Sequence, residues 1–305
     1  MQISVVSTLY YSANYINEFY TRICKVIESL KFESYEIIFV NDGSPDNSCE
    51  LATAIAKQDP NVIVVDLSRN FGHHKAMMTG LRYAQGEYVY LIDSDLEEDP
   101  EWLFSFHEIL HAQSADVVYG VQQVRRGDLF EQLSGALFYK IMDVVSRSDY
   151  PRNIVTARLM TQRYVAALLQ HHEREIFIVN LWHGTGFNQI AINVKKHSTS
   201  PSTYTFQKKI NHLINAVTSY QAPLMWIFYA GFLISSVAFL GVLFLVVNWI
   251  INKNTLTGWT SLVVSIWCVG GIIITALGFV GVYLSLIYME VKQRPIAIVR
   301  DVFRF

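Results

Sequence analysis

A chain of 305 residues is long enough for one large domain or two small ones. Its apolar fraction of 51% and mean hydropathy of +0.25 are both high for a protein that lives wholly in water. The formal charge of -2 gives no global basic field, so nucleic acid is excluded as an expected partner. Cys24, Cys49 and Cys268 lack CxxC spacing and read as reduced packing residues of a reducing compartment.

The first half alternates apolar runs with helical patterns. Residues 3–7 form a short apolar strand. Ile16, Phe19, Ile23, Val26, Ile27 and Leu30 recur at helical spacing and predict a helix over 16–30. A strand over 35–40 ends in Asn41-Asp42-Gly43-Ser44-Pro45, and a helix with an Asp or Asn cap follows over 46–57. Further strands are expected at Val62–Leu67, 88–92 and 116–120, and further helices at 74–84, 101–111, 130–146 and 161–170. Strands alternating with helices give a doubly wound, mostly parallel α/β sheet. A Ser/Thr-rich loop over 197–205 leads to an amphipathic segment, 206–220, suited to a membrane interface.

Two windows then lack Asp, Glu, Lys and Arg: Ile210 to Asn252, and the stretch between Lys253 and Glu290. Each exceeds the ~20 apolar residues that span a bilayer, so spanning helices are expected at about 224–251 and 260–289. Trp226, Tyr229, Trp249 and Trp259 fall near their ends, as interfacial aromatics do. Lys195, Lys196, Lys208 and Lys209 precede the pair, and Lys292, Arg294, Arg300 and Arg304 follow it. The intervening loop carries only Lys253, so both termini are expected in the cytoplasm of a multi-pass inner-membrane protein. A strand so close to Met1 is expected to leave no room for a signal peptide. The resulting division is a cytoplasmic α/β domain over 1–200, a juxtamembrane segment over 201–223, a two-helix membrane domain over 224–289 and a cytoplasmic tail over 290–305.

The run Tyr88-Val89-Tyr90-Leu91-Ile92 ends in Asp93-Ser94-Asp95. Open α/β sheets bind ligands at the carboxyl ends of their strands. Paired aspartates there offer hard oxygens to Mg²⁺ or Mn²⁺, which commonly share them with substrate phosphates. A helix cap or turn would use the same residues. Two other strands end in polar clusters at the same edge: Asp42 before Gly43-Ser44, and Ser68-Arg69-Asn70-Phe71-Gly72 followed by His73, His74 and Lys75. An Asp can accept from a base N–H, and the basic residues can meet a diphosphate. Either cluster also fits an ordinary turn.

Phe39-Val40-Asn41-Asp42-Gly43-Ser44, Leu67-Ser68-Arg69-Asn70-Phe71-Gly72 and Leu91-Ile92-Asp93-Ser94-Asp95-Leu96 resemble, in order and spacing, family-2 glycosyltransferases of the GT-A fold. More narrowly the chain resembles the polyprenyl-phosphate glycosyltransferases, of the dolichyl-phosphate mannose synthase and bactoprenol glucosyltransferase type. The likeness runs through Ala157-Arg158-Leu159-Met160 and the membrane helices to Ile287-Tyr288-Met289-Glu290-Val291-Lys292-Gln293-Arg294-Pro295.

The resemblance implies an inverting hexosyltransferase with a nucleotide-sugar donor, a UDP-hexose, and a polyprenyl (undecaprenyl) phosphate acceptor. Asp93, Asp95 and Arg158 would be catalytic, with Asp95 the ligand of Mg²⁺ or Mn²⁺. Thr8, Tyr10, Asp42, Asn70, Lys75 and Asp93 would face the donor. Arg125, Arg126, Arg158, Lys195 and Lys196 are candidates for the acceptor phosphate. The resemblance also implies a homo-oligomer, a tetramer. Three departures stand out. Ser7-Thr8-Leu9-Tyr10-Tyr11-Ser12 replaces the family's Pro-x-Tyr-Asn-Glu. Asp95-Leu96-Glu97-Glu98-Asp99-Pro100 is more acidic than Asp-Leu-Gln-Asp-Pro-Pro. Thr156 stands where the family has Asp. These departures also fit a transferase acting on a lipid-linked glycan or glycolipid, or a nucleotide-sugar-binding membrane protein without catalysis.

Overall fold

The computed structural model describes residues 2–122, 153–173, 176–197 and 258–305, with isolated helical positions between 226 and 251. The expected helix over 130–146 and the amphipathic segment 206–220 lie outside the described residues, as do Arg125 and Arg126. The chain divides into two compact units. One comprises Met1–Ala136, Pro151–Thr205 and Arg294–Phe305; the other comprises Leu137–Tyr150 and Phe206–Gln293.

The first unit is a mixed α/β sheet. Its elements in chain order are β1 (Ile3–Leu9), α1 (Ile16–Ser29), β2 (Tyr35–Asn41), α2 (Ser48–Ala56), β3 (Val62–Leu67), α3 (His73–Tyr83), β4 (Tyr88–Leu91), α4 (Trp102–Ala112), β5 (Val117–Gln122), β6 (Ile154–Thr161), α5 (Gln162–Leu168), α6 (Ile178–Gly184) and β7 (Gln189–Val194). Long helix α7 (Trp259–Val291) belongs to the second unit, and β8 (Val299–Phe303) returns to the first. The eight strands lie in the order β7-β5-β6-β4-β1-β2-β3-β8. Neighbours β1–β2, β1–β4, β2–β3 and β5–β7 are parallel, whereas β6 runs antiparallel to β4 and β5, and β8 antiparallel to β3.

The predicted β/α alternation through residue 120 matches these elements to within a few residues at each end. Its physical source is burial on both faces. Every residue of β1 is buried, so the strand is a continuous apolar run rather than an alternating one. Val5, Ile37 and Phe39 point to one face and pack with Phe19 and Ile23 of α1, Ile55 of α2 and Phe106 of α4. Val6, Ile38 and Val40 point to the other and meet Met77 and Leu81 of α3, Leu168 of α5 and Leu181 of α6. Removing one such side chain from water contributes about 1.5–3 kcal/mol. A Cβ on Gly80 would stand 2.5 Å from Val6 Cγ1, so glycine is what lets α3 lie close on β1.

β6, α6, β7 and β8 were not anticipated from the pattern. β6 begins beyond the described gap, and its neighbours in the sheet are set by long-range pairing alone. β8 covers the outer edge of β3, which would otherwise present unpaired N–H and C=O groups. In the second unit, Val269–Val291 of α7 is long and apolar enough to cross a membrane by length and composition. Ile274, Leu277 and Leu284 of this stretch are each more than 60% exposed. The other expected span, 224–251, falls mainly outside the described residues; its described positions are helical.

Candidate active site

Strands β1 to β4 are mutually parallel, which brings their carboxyl ends to one edge of the sheet. The loops leaving that edge carry the residues singled out by their sequence.

Two of these loops are sewn together by Asp42. Its Oδ1 accepts the Phe71 N–H at 2.7 Å and its Oδ2 the Gly72 N–H at 3.0 Å. The side chain is buried, and burial pushes its pKa up against those two amides. Gly43 adopts φ +59°, and a Cβ there would fall 2.5 Å from Arg69 C and Asn70 N. Only glycine allows the loops to pass so closely. The Tyr11 N–H donates to Ser44 Oγ at 2.8 Å, adding the loop after β1. Asp42 is therefore a loop fastener in this structure, with both oxygens already engaged. Tyr10 and Asn70, by contrast, are exposed on the same rim, and Lys75 lies in the first turn of α3.

The second cluster centres on Asp93. Thr156 Oγ1 donates to Asp93 Oδ2 at 2.8 Å. His73 Nε2 lies 3.3 Å from Asp93 Oδ1, and His73 Nδ1 lies 3.0 Å from Thr8 Oγ1. Burial opposes ionisation of Asp93, yet the neighbouring His73 holds its pKa down to about 2. Packing around the imidazole opposes its protonation in turn, but Asp93, Glu98 and Asp42 outweigh that and raise the pKa of His73. Ser94 Oγ donates to the Thr8 carbonyl at 2.9 Å and fixes the loop to β1.

Asp95 accepts the Glu97 N–H through Oδ1 at 3.0 Å, an Asx-type turn that leaves Oδ2 unused by that turn. Burial and the charge of Asp93 both raise the pKa of Asp95. Leu96 follows with φ +59°, a left-handed conformation that costs a Leu about 1 kcal/mol or more and clusters at functional sites. Glu98 is fully buried and accepts the N–H groups of Thr156 (2.9 Å) and Ala157 (2.8 Å), one on each oxygen. Burial and Asp93 push its pKa up to about 8. Lys196 Nζ reaches Glu97 Oε2 at 3.1 Å and Glu98 Oε1 at 3.7 Å. Burial disfavours the ammonium, but these carboxylates raise its pKa.

The acceptor-phosphate candidates therefore divide. Lys196 joins the acidic loop, Lys195 is exposed one residue earlier, and Arg125 and Arg126 lie outside the described residues. Arg158 requires a correction. It was expected to face a phosphate, but it is 1% exposed, on the sheet face beneath α6. Its guanidinium lies over the Trp182 ring, near Tyr119, and donates to the carbonyls of Thr156 (3.3 Å) and Val155 (3.5 Å). Burial lowers its pKa to about 9. β6 places Thr156 and Arg158 on one face by alternation, but Thr156 reaches the strand ends while Arg158 sits one pleat deeper.

Two contributors escaped the pattern. Glu98 was noted only as an acidic departure, and His73 only as one of three basic residues. The i, i+3 spacing of Asp95 and Glu98 across a turn gave no sign that Glu98 would anchor β6. Four acidic side chains, Asp93, Asp95, Glu97 and Glu98, crowd Lys196 and His73, and the pKa of Asp95 is raised first by burial and then by repulsion from Asp93. A divalent cation would relieve that repulsion. Among the described residues no three His, Cys, Asp or Glu side chains converge as a preformed metal cage. The acidic loop thus fits a cation that completes its coordination with substrate oxygens, the habit of Mg²⁺ and its like.

A doubly wound sheet with an Asp-Ser-Asp loop at the carboxyl end of β4 defines a GT-A-type domain. Residues 4–169 match the model of the family described as "Glycosyl transferase family 2", and the chain belongs to that family. A glycosyltransferase-named protein of Mycobacterium tuberculosis (strain CDC 1551 / Oshkosh) is 42% identical over 99% of this chain and 89% of its own length. The SfII prophage-derived bactoprenol glucosyl transferase of Shigella flexneri is 30% identical over 100% of this chain and 99% of its own. Among solved structures, the mannosyltransferase PcManGT from Pyrobaculum calidifontis, in complex with GDP-Man and Mn²⁺, superposes with a TM-score of 0.51. That likeness has 16% identity, covers 70% of this chain and 62% of the other, and concerns the fold.

Proposed function

We propose that this glycosyltransferase moves a hexose from a nucleoside-diphosphate sugar, a UDP-hexose, to a polyprenyl phosphate at the cytoplasmic face of the inner membrane. The observation that carries the reading is the acidic loop from Asp93 to Glu98 at the carboxyl edge of the sheet. It occurs in a chain that aligns end to end with a bactoprenol glucosyl transferase. The apolar stretch Val269–Val291 of α7, long enough to cross a membrane, supports the membrane part.

In this reading Tyr10 and Asn70 meet the nucleoside, while Asp42 and Gly43 hold the loops that shape its site. Asp93, kept anionic by His73 and oriented by Thr156, lies beside the sugar. Asp95 would hold Mg²⁺ or Mn²⁺, which when bound neutralises charge growing on the departing diphosphate. The acceptor oxygen bonds to the anomeric carbon as the bond to the diphosphate breaks on the opposite face, with inversion. A phosphate monoester is already anionic near neutral pH, so no strong general base is required. Thr156 in place of an Asp is compatible with that economy. Arg125, Arg126 and Lys196 are the cations proposed to position the acceptor; Arg158, being buried, supports β6 instead.

The test is transfer itself. Purified protein would be incubated with radiolabelled UDP-glucose, UDP-N-acetylglucosamine or GDP-mannose, undecaprenyl phosphate and Mn²⁺. Label in an acid-labile, organic-extractable product is expected. Absence of label with every donor would sink the reading. An acid-stable product would instead indicate extension of a lipid-linked glycan.

A further inference from the structure

The Ser68–Arg69–Asn70–Phe71–Gly72 loop is held at both ends. At its far end Asp42 takes the N–H groups of Phe71 and Gly72. At its near end the C-terminal segment takes both backbone groups of Ser68. The Ser68 N–H donates to the Ile298 carbonyl at 2.9 Å, and Arg300 Nη2 donates to the Ser68 carbonyl at 2.7 Å. Arg300 Nη1 also lies 3.5 Å from Asp66 Oδ2. Asp66 Oδ1 accepts from Asn41 Nδ2 at 2.7 Å, and Asn41 Oδ1 accepts the Ser44 N–H at 3.1 Å. One guanidinium therefore touches the loop after β3 directly and the loop after β2 through two side chains. Ile296, Ala297 and Val299 add apolar contact in the cluster that includes Phe71.

We infer that the C-terminal strand is a positioning element for the nucleotide-sugar donor, acting through Arg300 on Ser68 and Asp66. The inference rests on the reading that these two loops face the donor. Edge coverage alone would have been met by backbone pairing of β8 with β3. It does not account for a side chain that bridges Asp66 and the Ser68 carbonyl, at the point where the strand becomes the loop. Arg300 follows α7 in sequence with only residues 292–299 between, so the segment that completes the donor loops is also the one tied to the membrane helix. Its two contacts need a forked donor; a lysine supplies a point charge that can serve one of them.

The experiment uses the full-length protein in detergent with undecaprenyl phosphate and the donor of highest turnover among UDP-glucose, UDP-N-acetylglucosamine and GDP-mannose. Steady-state constants for both substrates are measured for wild type, Arg300→Ala and Arg300→Lys, alongside amide hydrogen exchange over residues 66–72. Arg300→Ala is expected to raise the donor KM about tenfold, with kcat and the acceptor KM within about twofold. Exchange over 68–72 should quicken, and Arg300→Lys should fall between the two. An unchanged donor KM overturns the inference, even if exchange quickens. So does a parallel fall of kcat and of both affinities tracking a loss of thermal stability, because that marks a merely structural strand. Should wild type transfer no sugar from any donor, the functional reading fails and takes the inference with it. Normal wild-type transfer with an indifferent Arg300→Ala variant removes the inference alone.

Discussion

Thr156 and Asp93, which lie far apart in the sequence, share a hydrogen bond of 2.8 Å between the hydroxyl and Oδ2. It spans the ends of β6 and β4 and holds the carboxylate in one orientation, with His73 on its other oxygen. Thr156→Val keeps the shape and removes the donor. A buried carboxylate oxygen is then left short of a partner, at a cost of about 1–3 kcal/mol. A lower thermal midpoint and a roughly tenfold lower kcat are expected, read by melting and initial rates. Unchanged kcat would show that the orientation of Asp93 does not limit the reaction.

Asp95 is tested best by Asp95→Asn. The amide oxygen can still accept the Glu97 N–H, so the turn survives, while the charge that attracts a cation is gone. Removing it also relieves repulsion with Asp93. Transfer should fall at least about a hundredfold with little change in thermal midpoint. Near-wild-type turnover would remove Asp95 from the metal role.

Stability should decline as pH rises from about 5 to about 8. Glu98, Asp95 and His73 all bind their protons more tightly folded than unfolded, Glu98 with its pKa near 8. Stability from such groups is fully present below their unfolded pKa values and is lost as pH climbs through the folded ones. Asp93 has the opposite sign, and its contribution disappears only as pH drops toward about 2. At low pH each oxygen of the neutral Glu98 acid can still accept one N–H, whereas the NH2 of Glu98→Gln accepts none, so the variant should melt earlier there. Its melting temperature should also vary less between pH 5 and 8, as scanning calorimetry in detergent would register. A slope equal to wild type would mean that Glu98 does not titrate in that range.

Arg158 offers a choice between a buried support and a substrate contact. Arg158→Met preserves bulk beneath Trp182 and removes a desolvated charge, so stability should hold within about 1 kcal/mol. Arg158→Ala should lose about 2–4 kcal/mol by leaving a cavity. The acceptor KM should stay within about twofold for Arg158→Met. A tenfold rise at unchanged stability would return the guanidinium to the acceptor.

The elements through residue 120 were legible because their causes are local. The stripe from Ile16 to Ile27 and the unbroken apolar runs of β1 to β4 need only their own spacing to declare a helix or a buried strand. The membrane-length stretch of α7 was legible for the same reason. So was the place of Asp93 and Asp95 at the end of β4, since a polar pair after a buried strand is itself a local signal.

Other relations depend on chain crossings that no window of sequence contains. Asp42 was read as a base contact; the close passage of two loops at Gly43 also gives each of its oxygens a backbone N–H. Arg158 had a basic residue's promise of an anion; the deposition of α6 over its face of the sheet withdrew it from solvent. By itself the sequence determined which segments through residue 120 are strands, which helices, and at which strand ends the acids lie, because periodicity and burial act over a few residues. Only the tertiary structure decided that β6 and β8 run against the others, that Glu98 anchors Thr156, and that the last strand returns to brace Ser68. Those outcomes follow from pairing and packing between residues far apart in the chain, where the contact exists only once the sheet has formed.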